Sequence, residues 1–230
     1  MEKILLIEDD PTVAEIIQEY IRKDGKYEVS WTDSSERALE TAHQDFSLIL
    51  LDIMLPGMDG MELCQRLRRT LYCPIVFISS LDDEQTIVKA LQLGGDDYLV
   101  KPFGAAVLIA KIDALLRRMR NDFPALEPET QDGDLRISCQ DHTVLTPFGQ
   151  AYLSPTEFRL LQFLFNNRKR VLELEEIYQA IWERPSFGDV RTVPVHVCNL
   201  RKKIEQEPNR PRYLKTVKRI GYWFDDAPEE

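Results

Sequence analysis

Acidic side chains stand directly after apolar runs in the first half of the sequence, a spacing that could support metal and phosphoryl chemistry. Glu8 and Asp9 follow the first apolar run, and Asp52 closes another. Two further runs are followed by Ser79 and by Lys101. Clustered carboxylates suit Mg²⁺, and an ammonium group beside them offsets the negative charge of a phosphoryl group. A carboxylate in that setting can act as a nucleophile toward phosphorus.

The elements that must bring these residues together alternate along the first 120 residues. Apolar or alternating runs predict strands at 4–7, 27–32, 46–51, 74–78 and 98–100. Helical spacing of apolar residues predicts helices at 13–21, 34–44, 61–70, 84–93 and 105–120. Strict alternation predicts an α/β fold with a doubly wound parallel sheet that helices cover on both faces. Ligands bind such sheets at the carboxyl ends of the strands, where the five residues above stand.

The second half of the chain has a different organisation. Residues 121–133 carry two prolines and four acidic residues, and we interpret them as a linker. Short strand-like runs at 135–138, 143–145 and 150–153 predict a small antiparallel sheet. Helices are predicted at 154–166, 174–182 and 192–206, followed by a hairpin at 213–224. Residues 134–226 are therefore expected to form an α+β domain.

Charge is divided unevenly between the two parts of the chain. The formal net charge is −10; residues 1–120 contribute −7, from 14 basic and 21 acidic residues. Residues 184–219 contribute +7, from ten basic and three acidic residues. A basic segment in an acidic protein indicates a local surface that meets an anion such as nucleic acid.

Cysteine and hydropathy patterns bear on location. The four cysteines are scattered, with no metal-ligand or disulfide-framework spacing, which favours the reducing cytoplasm. No apolar run approaches the ~20 residues of a membrane span, and the N-terminus does not have the pattern of a signal peptide. We therefore expect no membrane partner.

Two other classes of protein place acidic or phosphate-binding residues at such strand ends. Haloacid-dehalogenase-like phosphatases need a second Asp two residues after the nucleophile, whereas position 54 is Met. Flavodoxins need a loop rich in Ser, Thr and Gly after the first strand, where this chain has Glu-Asp-Asp-Pro. The sequence favours neither class.

With these motifs in place, the chain resembles a known family over nearly its whole length. Residues 1–120 resemble the flavodoxin-like (βα)5 receiver domain of two-component response regulators. Residues 134–226 resemble the winged helix-turn-helix domain of the OmpR/PhoB subfamily. The resemblance implies that Asp52 accepts a phosphoryl group from a sensor histidine kinase.

The resemblance also assigns the residues around Asp52. It implies that Glu8, Asp9, Asp52 and the backbone carbonyl of Met54 hold Mg²⁺. Asp10 is expected to lie outside this set of ligands.

Three further residues match the family's phosphoryl-binding and switch positions. Lys101 is expected to bind phosphoryl oxygens and to precede a cis peptide bond to Pro102. Ser79 matches the switch hydroxyl, and Tyr98 matches the switch aromatic that turns inward on activation.

The helix at 192–206 carries two stripes at about 100° per residue. One stripe is apolar and is expected to face the core; it contains Val193, Val197, Leu200 and Ile204. The other, centred on Asn199, mixes polar, cationic and small apolar groups, as a helix in a DNA major groove requires. It contains Thr192, Val195, His196, Asn199, Lys202 and Lys203.

The resemblance makes this segment the recognition helix for double-stranded DNA. Residues matching DNA-contacting positions of the family are Arg191, Thr192, His196 and Trp182. Lys218 and Arg219, at the tip of the last hairpin, match the wing that enters the minor groove. Residues 183–190 resemble the loop through which relatives contact RNA polymerase.

Dimerisation is also implied by the resemblance. Phosphorylation is expected to favour a symmetric homodimer through the fourth helix, fifth strand and fifth helix of the receiver. Positions that match the charged pairs of this face are Asp96, Asp97, Lys111 and Arg118. Ile87 and Val107 stand where a basic–acidic pair is usual, so a hydrophobic contact is expected there.

The sequence thus predicts a cytoplasmic transcription regulator, not an enzyme, that binds repeated promoter sites as a phosphorylated dimer. One alternative is a regulator that binds DNA without phosphorylation and uses its receiver only to dimerise. The complete set of Glu8, Asp9, Asp52 and Lys101 argues against it. The other alternative, a metal-dependent phosphatase fused to a DNA-binding domain, lacks a separate catalytic acid.

Overall fold

The computed structural model describes residues 1–41, 46–120, 129–132, 134–139, 142–182 and 192–225. The chain divides into two compact units, Met1–Arg120 and Asn121–Glu230. No helix within the described residues is long and apolar enough to cross a membrane.

Five parallel strands form one sheet in the described part of the first unit. The strands are β1 (Glu2–Ile7), β2 (Tyr27–Thr32), β3 (Leu48–Asp52), β4 (Ile75–Ser79) and β5 (Asp97–Val100). The helices between and after them are α1 (Pro11–Asp24), α2 (Ser35–Thr41), α3 (Gly60–Leu67), α4 (Glu84–Gln92) and α5 (Ala105–Arg120). The strand order is β2-β1-β3-β4-β5. This arrangement confirms the predicted doubly wound, flavodoxin-like (βα)5 fold.

Each face of this sheet carries its own apolar cluster. One cluster joins alternate strand residues such as Leu5 and Phe77 to helices α3 and α4. The other joins the opposite alternation, including Leu6 and Val76, to helices α1 and α5. Burial on both faces explains why β3 and β4 are almost continuous apolar runs.

The turn between β3 and α3 requires a glycine at its end. A side chain at Gly60 would place its Cβ 2.0 Å from the backbone oxygen of Asp52. The Gly60 N–H donates to the carbonyl of Ile53 at 2.9 Å, and Asp59 caps α3 by accepting from the N–H of Met61 at 2.7 Å. This close approach holds the loop against the end of β3.

The described residues of the second unit form two antiparallel sheets and three helices. The four-stranded sheet runs β6 (Glu129–Asp132), β7 (Leu135–Ser138), β8 (Thr143–Thr146) and β9 (Gly149–Tyr152), in that order. The helices are α6 (Pro155–Asn166), α7 (Leu174–Trp182) and α8 (Thr192–Ile204). The second sheet has the order β10-β12-β11, with β10 (Leu172–Glu173), β11 (Leu214–Val217) and β12 (Gly221–Phe224). The predicted α+β winged-helix architecture is confirmed.

Two strands of this unit were not predicted. β6 lies inside the stretch interpreted as a linker, and it pairs antiparallel with β7. Its sequence, Glu-Thr-Gln-Asp, has no apolar alternation, and it lies at one edge of the sheet. β10 has only two residues, which is too short for a periodic signal.

Helix α6 begins as its sequence predicts. The Ser154 side chain accepts from the N–H of Glu157 at 3.4 Å, and the Glu157 carboxylate accepts from the N–H of Ser154 at 2.7 Å. This reciprocal capping box satisfies two donors that the first helical turn cannot pair.

The last two strands form the predicted hairpin. Leu214 pairs with Phe224 and Val217 with Gly221, so the turn consists of residues 218–220. Arg219 at the tip has a φ of 66°. We refer to β11, this turn and β12 as the wing.

Candidate functional site

The predicted acidic residues meet at the carboxyl edge of the five-stranded sheet. Glu8 directly follows β1, and Asp52 is the last residue of the neighbouring β3. One carboxylate oxygen from each of Glu8, Asp9 and Asp52 lies within 4.8 Å of the others. Glu8 and Asp52 are buried, whereas Asp9 is exposed. The three acids can therefore hold one metal ion between them, with Asp9 on the solvent side.

Lys101 neutralises part of this negative charge. Its Nζ lies 2.6 Å from Glu8 Oε2 and 2.7 Å from Asp52 Oδ2. The Lys101–Pro102 peptide bond is cis, as expected. Since Lys101 follows β5 at the far side of β4, its side chain reaches across the sheet edge to both acids.

The charge states of this cluster depend on burial. Glu8 is 1% exposed, and burial together with the nearby Asp52 charge raises its pKa to about 7, although Lys101 opposes the shift. Burial lowers the pKa of Lys101, but the two carboxylates outweigh that effect and leave its pKa above the ordinary value. Lys101 is therefore a cation at neutral pH, beside an acid that can gain or lose a proton.

Two neighbouring residues have separate roles. Asp10 accepts from the N–H groups of Thr12 at 2.8 Å and Val13 at 3.3 Å, so it caps α1. Met54 donates its backbone N–H to Asp52 Oδ1 at 3.0 Å, while its side chain is 58% exposed. Asp10 therefore lies outside the acidic cluster, and the Met54 backbone lies next to Asp52.

Sequence reasoning gave no role to Trp31, which supports the cluster from β2. Its indole N–H donates to the backbone carbonyl of Glu8 at 2.9 Å. The Glu8 N–H donates to the carbonyl of Thr32 at 3.1 Å. The backbone of Glu8 is thus held at both its polar groups. The signal for this role was the place of Trp31 near the end of the strand beside the acidic pair.

The two predicted switch residues are both buried near Asp52. Ser79 is the last residue of β4 and fully buried, and it accepts from the N–H of Leu81 at 3.3 Å. Tyr98 is 8% exposed and packs on the Phe77 ring with centroids 6.4 Å apart. Its hydroxyl donates to the Leu81 carbonyl at 2.7 Å, and burial raises its pKa. Tyr98 therefore occupies the inward position.

A cluster of this kind has a defined chemical capacity. Its carboxylates can bind a hard divalent cation, and Asp52 offers an oxygen to an incoming electrophile. The Lys101 ammonium beside Asp52 can bind the oxygens of a transferring phosphoryl group. These properties fit acceptance of a phosphoryl group.

In the second unit, the centre of the predicted stripe around Asn199 does not lie on the surface. Val195, His196 and Asn199 are 7%, 1% and 5% exposed. The apolar stripe is buried as predicted, but α8 also packs against α6 and the β8–β9 hairpin. The His196 ring also lies 5.5 Å from the ring of Trp182 on α7. The prediction that these three residues face a DNA groove is therefore wrong.

The two lysines of that stripe differ from each other. Lys203 donates to the Tyr152 carbonyl at 2.9 Å and lies 2.5 Å from Glu157 Oε2. It therefore ties α8 to the start of α6 and does not extend toward solvent as predicted. Lys202 is exposed, and it shares the accessible side of α8 with exposed Pro194 and half-buried Cys198. This accessible side, Pro194, Cys198 and Lys202, is called the outer face of α8 below.

The remaining DNA-contact predictions have mixed outcomes. Trp182 is 1% exposed and belongs to the apolar core, with ring centroids 5.0 Å from Tyr178 and 5.5 Å from His196. Thr192 begins α8 and is half-buried. The predictions for Arg191 and for residues 183–190 lie outside the described residues.

The eight basic residues at 201–219 fall into two groups. Internal contacts engage four of them: Arg201, Lys203, Arg212 and Lys215. Four others are exposed and form no ion pair within the part of the chain that the structure describes: Lys202, Arg210, Lys218 and Arg219. Within residues 201–219, only the second group has the free charge that attraction of an anion requires.

The residues predicted to lie at the dimer interface also have different environments. Asp96 is 1% exposed, forms an ion pair with Arg68 and accepts from the N–H of Ile75 at 3.0 Å. It is a buried structural residue, and its prediction as a dimer contact is wrong. Asp97 pairs with Lys111 at 2.7 Å within the chain, with side chains 9% and 11% exposed, so neither is free for the predicted contact between chains.

The apolar positions remain accessible on this face. Ile87 is half-buried on α4, and Val107 is 50% exposed on α5. The side chain of Arg118 lies outside the described part of the molecule.

The fold and the acidic site define a receiver-type signalling domain followed by a winged-helix DNA-binding domain. Residues 4–113 match the family of response regulator receiver domains, and residues 149–224 match the C-terminal domain of transcriptional regulatory proteins. The chain belongs to the two-component response regulators of the OmpR/PhoB type. This family consists of DNA-binding transcription regulators and not of enzymes.

Relatives match over the whole chain. The uncharacterised transcriptional regulatory protein YrkP of Bacillus subtilis is 36% identical over 96% of this chain and 97% of its own. The alkaline phosphatase synthesis transcriptional regulatory protein PhoP of the same organism is 35% identical over 98% and 97%. Among solved structures, a mutant of RitR has a TM-score of 0.82 at 28% identity, covering 99% of this chain and all of that one. DrrB of Thermotoga maritima has a TM-score of 0.52 at 30% identity, covering 97% and 99%.

Proposed function

We propose that this protein is a transcription regulator whose Asp52 accepts a phosphoryl group from a sensor histidine kinase. The observation that carries the proposal is the contact of Asp52 with Lys101 at 2.7 Å, beside the two other acids. A nucleophilic carboxylate, a cation and a metal-binding pair are the parts that phosphoryl transfer requires.

Mg²⁺ fits the acidic cluster because its donors are all oxygens and few in number. Glu8, Asp9, Asp52 and the Met54 carbonyl would hold it. When bound, the ion would offset negative charge on the phosphoryl oxygens. Lys101 would bind the same oxygens from the other side, and Trp31 would keep the backbone of Glu8 in place.

Phosphorylation acts through Ser79 and Tyr98 in this proposal. A phosphoryl group on Asp52 would attract the Ser79 hydroxyl, and the inward position of Tyr98 would be favoured. The protein would then form a homodimer through α4, β5 and α5. Ile87 and Val107 would meet there in an apolar contact in place of an ion pair.

DNA binding would use the outer face of α8 and the wing. Lys202 would contact phosphates, which position the protein without reading sequence. Lys218 and Arg219 are exposed at the hairpin tip and would lie at the minor groove. A dimer would place two such units on repeated half-sites of a promoter. The protein would act in the cytoplasm. Residues 183–190 would contact RNA polymerase there.

The experiment that tests this function compares untreated and phosphoramidate-treated protein in Mg²⁺. Sedimentation measures the oligomeric state, and titration measures affinity for a duplex selected from random sequence. Treatment should produce a dimer and raise affinity in the native protein but not in Asp52→Asn. Equal dimerisation and affinity with and without treatment would support the regulator that needs no phosphorylation.

Ile87→Lys is the matched test of the dimer face. A buried aliphatic contact responds little to salt, whereas exposed ion pairs are screened within ~10 Å at about 0.1 M. The native dimer should therefore be insensitive to salt, and Ile87→Lys should dimerise poorly after treatment. Normal dimerisation of this variant would overturn the proposed contact.

A further inference from the structure

Two charged side chains of the α8 segment hold the peptide groups of Leu214, the first residue of the wing. The Glu205 carboxylate accepts the Leu214 N–H at 2.8 Å. Arg201 donates to the Leu214 carbonyl from Nε at 2.9 Å and from Nη2 at 2.6 Å. We call this pair of side chains the α8–wing clamp. The inference drawn from it rests on the proposed function, because it concerns how α8 and the wing meet DNA.

Glu205 is placed where a carboxylate is otherwise unfavourable. It directly follows α8, and it is 5% exposed. The helix dipole opposes an anion at a C-terminus, and burial adds a desolvation penalty. Three consecutive backbone N–H groups compensate, from Arg212 at 2.8 Å, Tyr213 at 3.0 Å and Leu214 at 2.8 Å. The carboxylate therefore determines where the chain enters β11.

Arg201, one turn earlier, extends the same contact along the strand. Its Nη2 also donates to Thr216 Oγ1 at 2.8 Å, and its guanidinium carbon lies 5.7 Å from the centroid of the Tyr222 ring. β11 is the edge strand of its sheet. Backbone groups on an outer edge have no strand partner, and side chains from α8 supply partners here. The helix and the wing are thus joined by hydrogen bonds and not only by packing.

We propose that Glu205 and Arg201 are positioning residues that set the distance and angle between α8 and the wing tip. Lys218 lies four residues beyond Leu214, so the strand acts as a lever of about 13 Å at ~3.3 Å per residue. A rotation of roughly 10° at the clamp would move the tip by about 2 Å over such a length. That displacement would separate the wing from a minor groove while α8 stayed in the major groove.

The test uses the full-length protein and a duplex that the native protein selects from random sequence. Glu205→Gln keeps the size of the side chain but removes its charge, and its amide NH2 must face either the Arg212 N–H or the N–H groups of Tyr213 and Leu214. Glu207→Gln, an exposed change two residues away, is the matched control. Two readouts separate the contacts: hydroxyl-radical footprinting reports the minor groove, and protection of Cys198 from N-ethylmaleimide reports the outer face of α8.

The clamp predicts selective loss of the wing contact. Glu205→Gln should bind about tenfold more weakly, lose the minor-groove footprint and keep the DNA protection of Cys198. Glu207→Gln should match the native protein. An unchanged footprint and affinity for Glu205→Gln would overturn the proposal.

A double-mutant cycle with Lys218→Ala provides the second readout, because coupled residues give non-additive effects. Lys218→Ala should weaken binding in the native protein and change it less than about twofold in the Glu205→Gln background. If Glu205→Gln reduces folding, Arg201→Lys replaces it as the clamp variant. It keeps the charge but loses the paired donors, so Lys218→Ala should again have little effect in its background. Equal effects of Lys218→Ala in all backgrounds would overturn the clamp. Failure of DNA to protect Cys198 in the native protein would instead contradict the proposed DNA-contact face.

Discussion

The Tyr98 hydroxyl donates to the Leu81 carbonyl at 2.7 Å, which holds the ring inside the receiver beside buried Ser79. The bond links β5, which carries Tyr98, to the loop after β4, which carries Leu81. Because these elements border the proposed dimer face, the bond connects the end of the sheet that holds Asp52 with that face. Tyr98 therefore offers a direct test of the proposed switch.

Removal of this hydroxyl should shift the switch outward. Tyr98→Phe loses one hydrogen bond worth about 1 kcal/mol. The ratio of inward to outward ring positions should therefore fall roughly fivefold in each protomer. After phosphoramidate treatment, the variant should therefore dimerise more weakly than the native protein, as measured by sedimentation. Tyr20→Phe, at a half-buried tyrosine of α1, is the control and should dimerise normally. Equal dimerisation of Tyr98→Phe and the native protein would refute the role of the hydroxyl.

Asp96 should affect stability and not association. Its carboxylate is fully buried against Arg68, and removal of one partner of a buried pair leaves an uncompensated charge. Asp96→Ala should lower the free energy of unfolding by about 3 kcal/mol. Denaturant titration measures this, with exposed Asp82→Ala as the control. A normal stability with weakened dimerisation would restore Asp96 to the dimer face.

Substitutions of the two adjacent lysines of α8 should affect different properties, DNA affinity for Lys202 and stability for Lys203. Lys202→Ala removes an exposed cation proposed to contact phosphate, so it should weaken binding to every duplex and reduce the salt slope by about one. Lys203→Ala leaves buried Glu157 without its cation and should lower stability by about 2 kcal/mol. Salt titration and denaturant titration of both variants separate the two effects. The reverse pattern would show that the helix is rotated from the orientation described.

The outcome for α8 shows what a single sequence can and cannot indicate. The periodicity of Val193, Val197, Leu200 and Ile204 predicted the core face correctly, because that signal lies within the helix. The burial of His196 and Asn199 depends on tertiary packing, such as the Trp182 ring of α7 beside His196, which leaves no mark on the helical periodicity.

The same distinction applies to the receiver. Glu8, Asp52 and Lys101 could be brought together from sequence, because the ends of adjacent parallel strands must converge. The pairing of Asp96 with Arg68 could not, because it depends on the packing of the α3 end against the loop before β5. Trp31 was missed for a similar reason, since its bond is to a backbone carbonyl and not to a recognisable side-chain partner.

Cysteine reactivity should follow burial in the receiver. Burial raises the pKa of the Cys64 thiol to about 12 and that of Cys73 to about 11, with Arg68 opposing both shifts. Only the thiolate reacts, so at pH 8 both should be alkylated far more slowly than an ordinary thiol of pKa about 8.5. Because raised pKa values put the titration above pH 10, each rate should rise about tenfold per pH unit from 8 to 10. Peptide mapping after N-ethylmaleimide treatment measures both rates, and a plateau near pH 9 would contradict the burial described.

The central claim is that Asp52 is the phosphoacceptor, and intact mass measurement tests it most directly. Native protein and Asp52→Asn are treated with phosphoramidate in the presence and absence of Mg²⁺. The native protein should gain the mass of one phosphoryl group in Mg²⁺, and the nearly isosteric Asp52→Asn should gain none while unfolding at a similar temperature. A phosphoryl group on folded Asp52→Asn, or none on the native protein in Mg²⁺, would contradict the account.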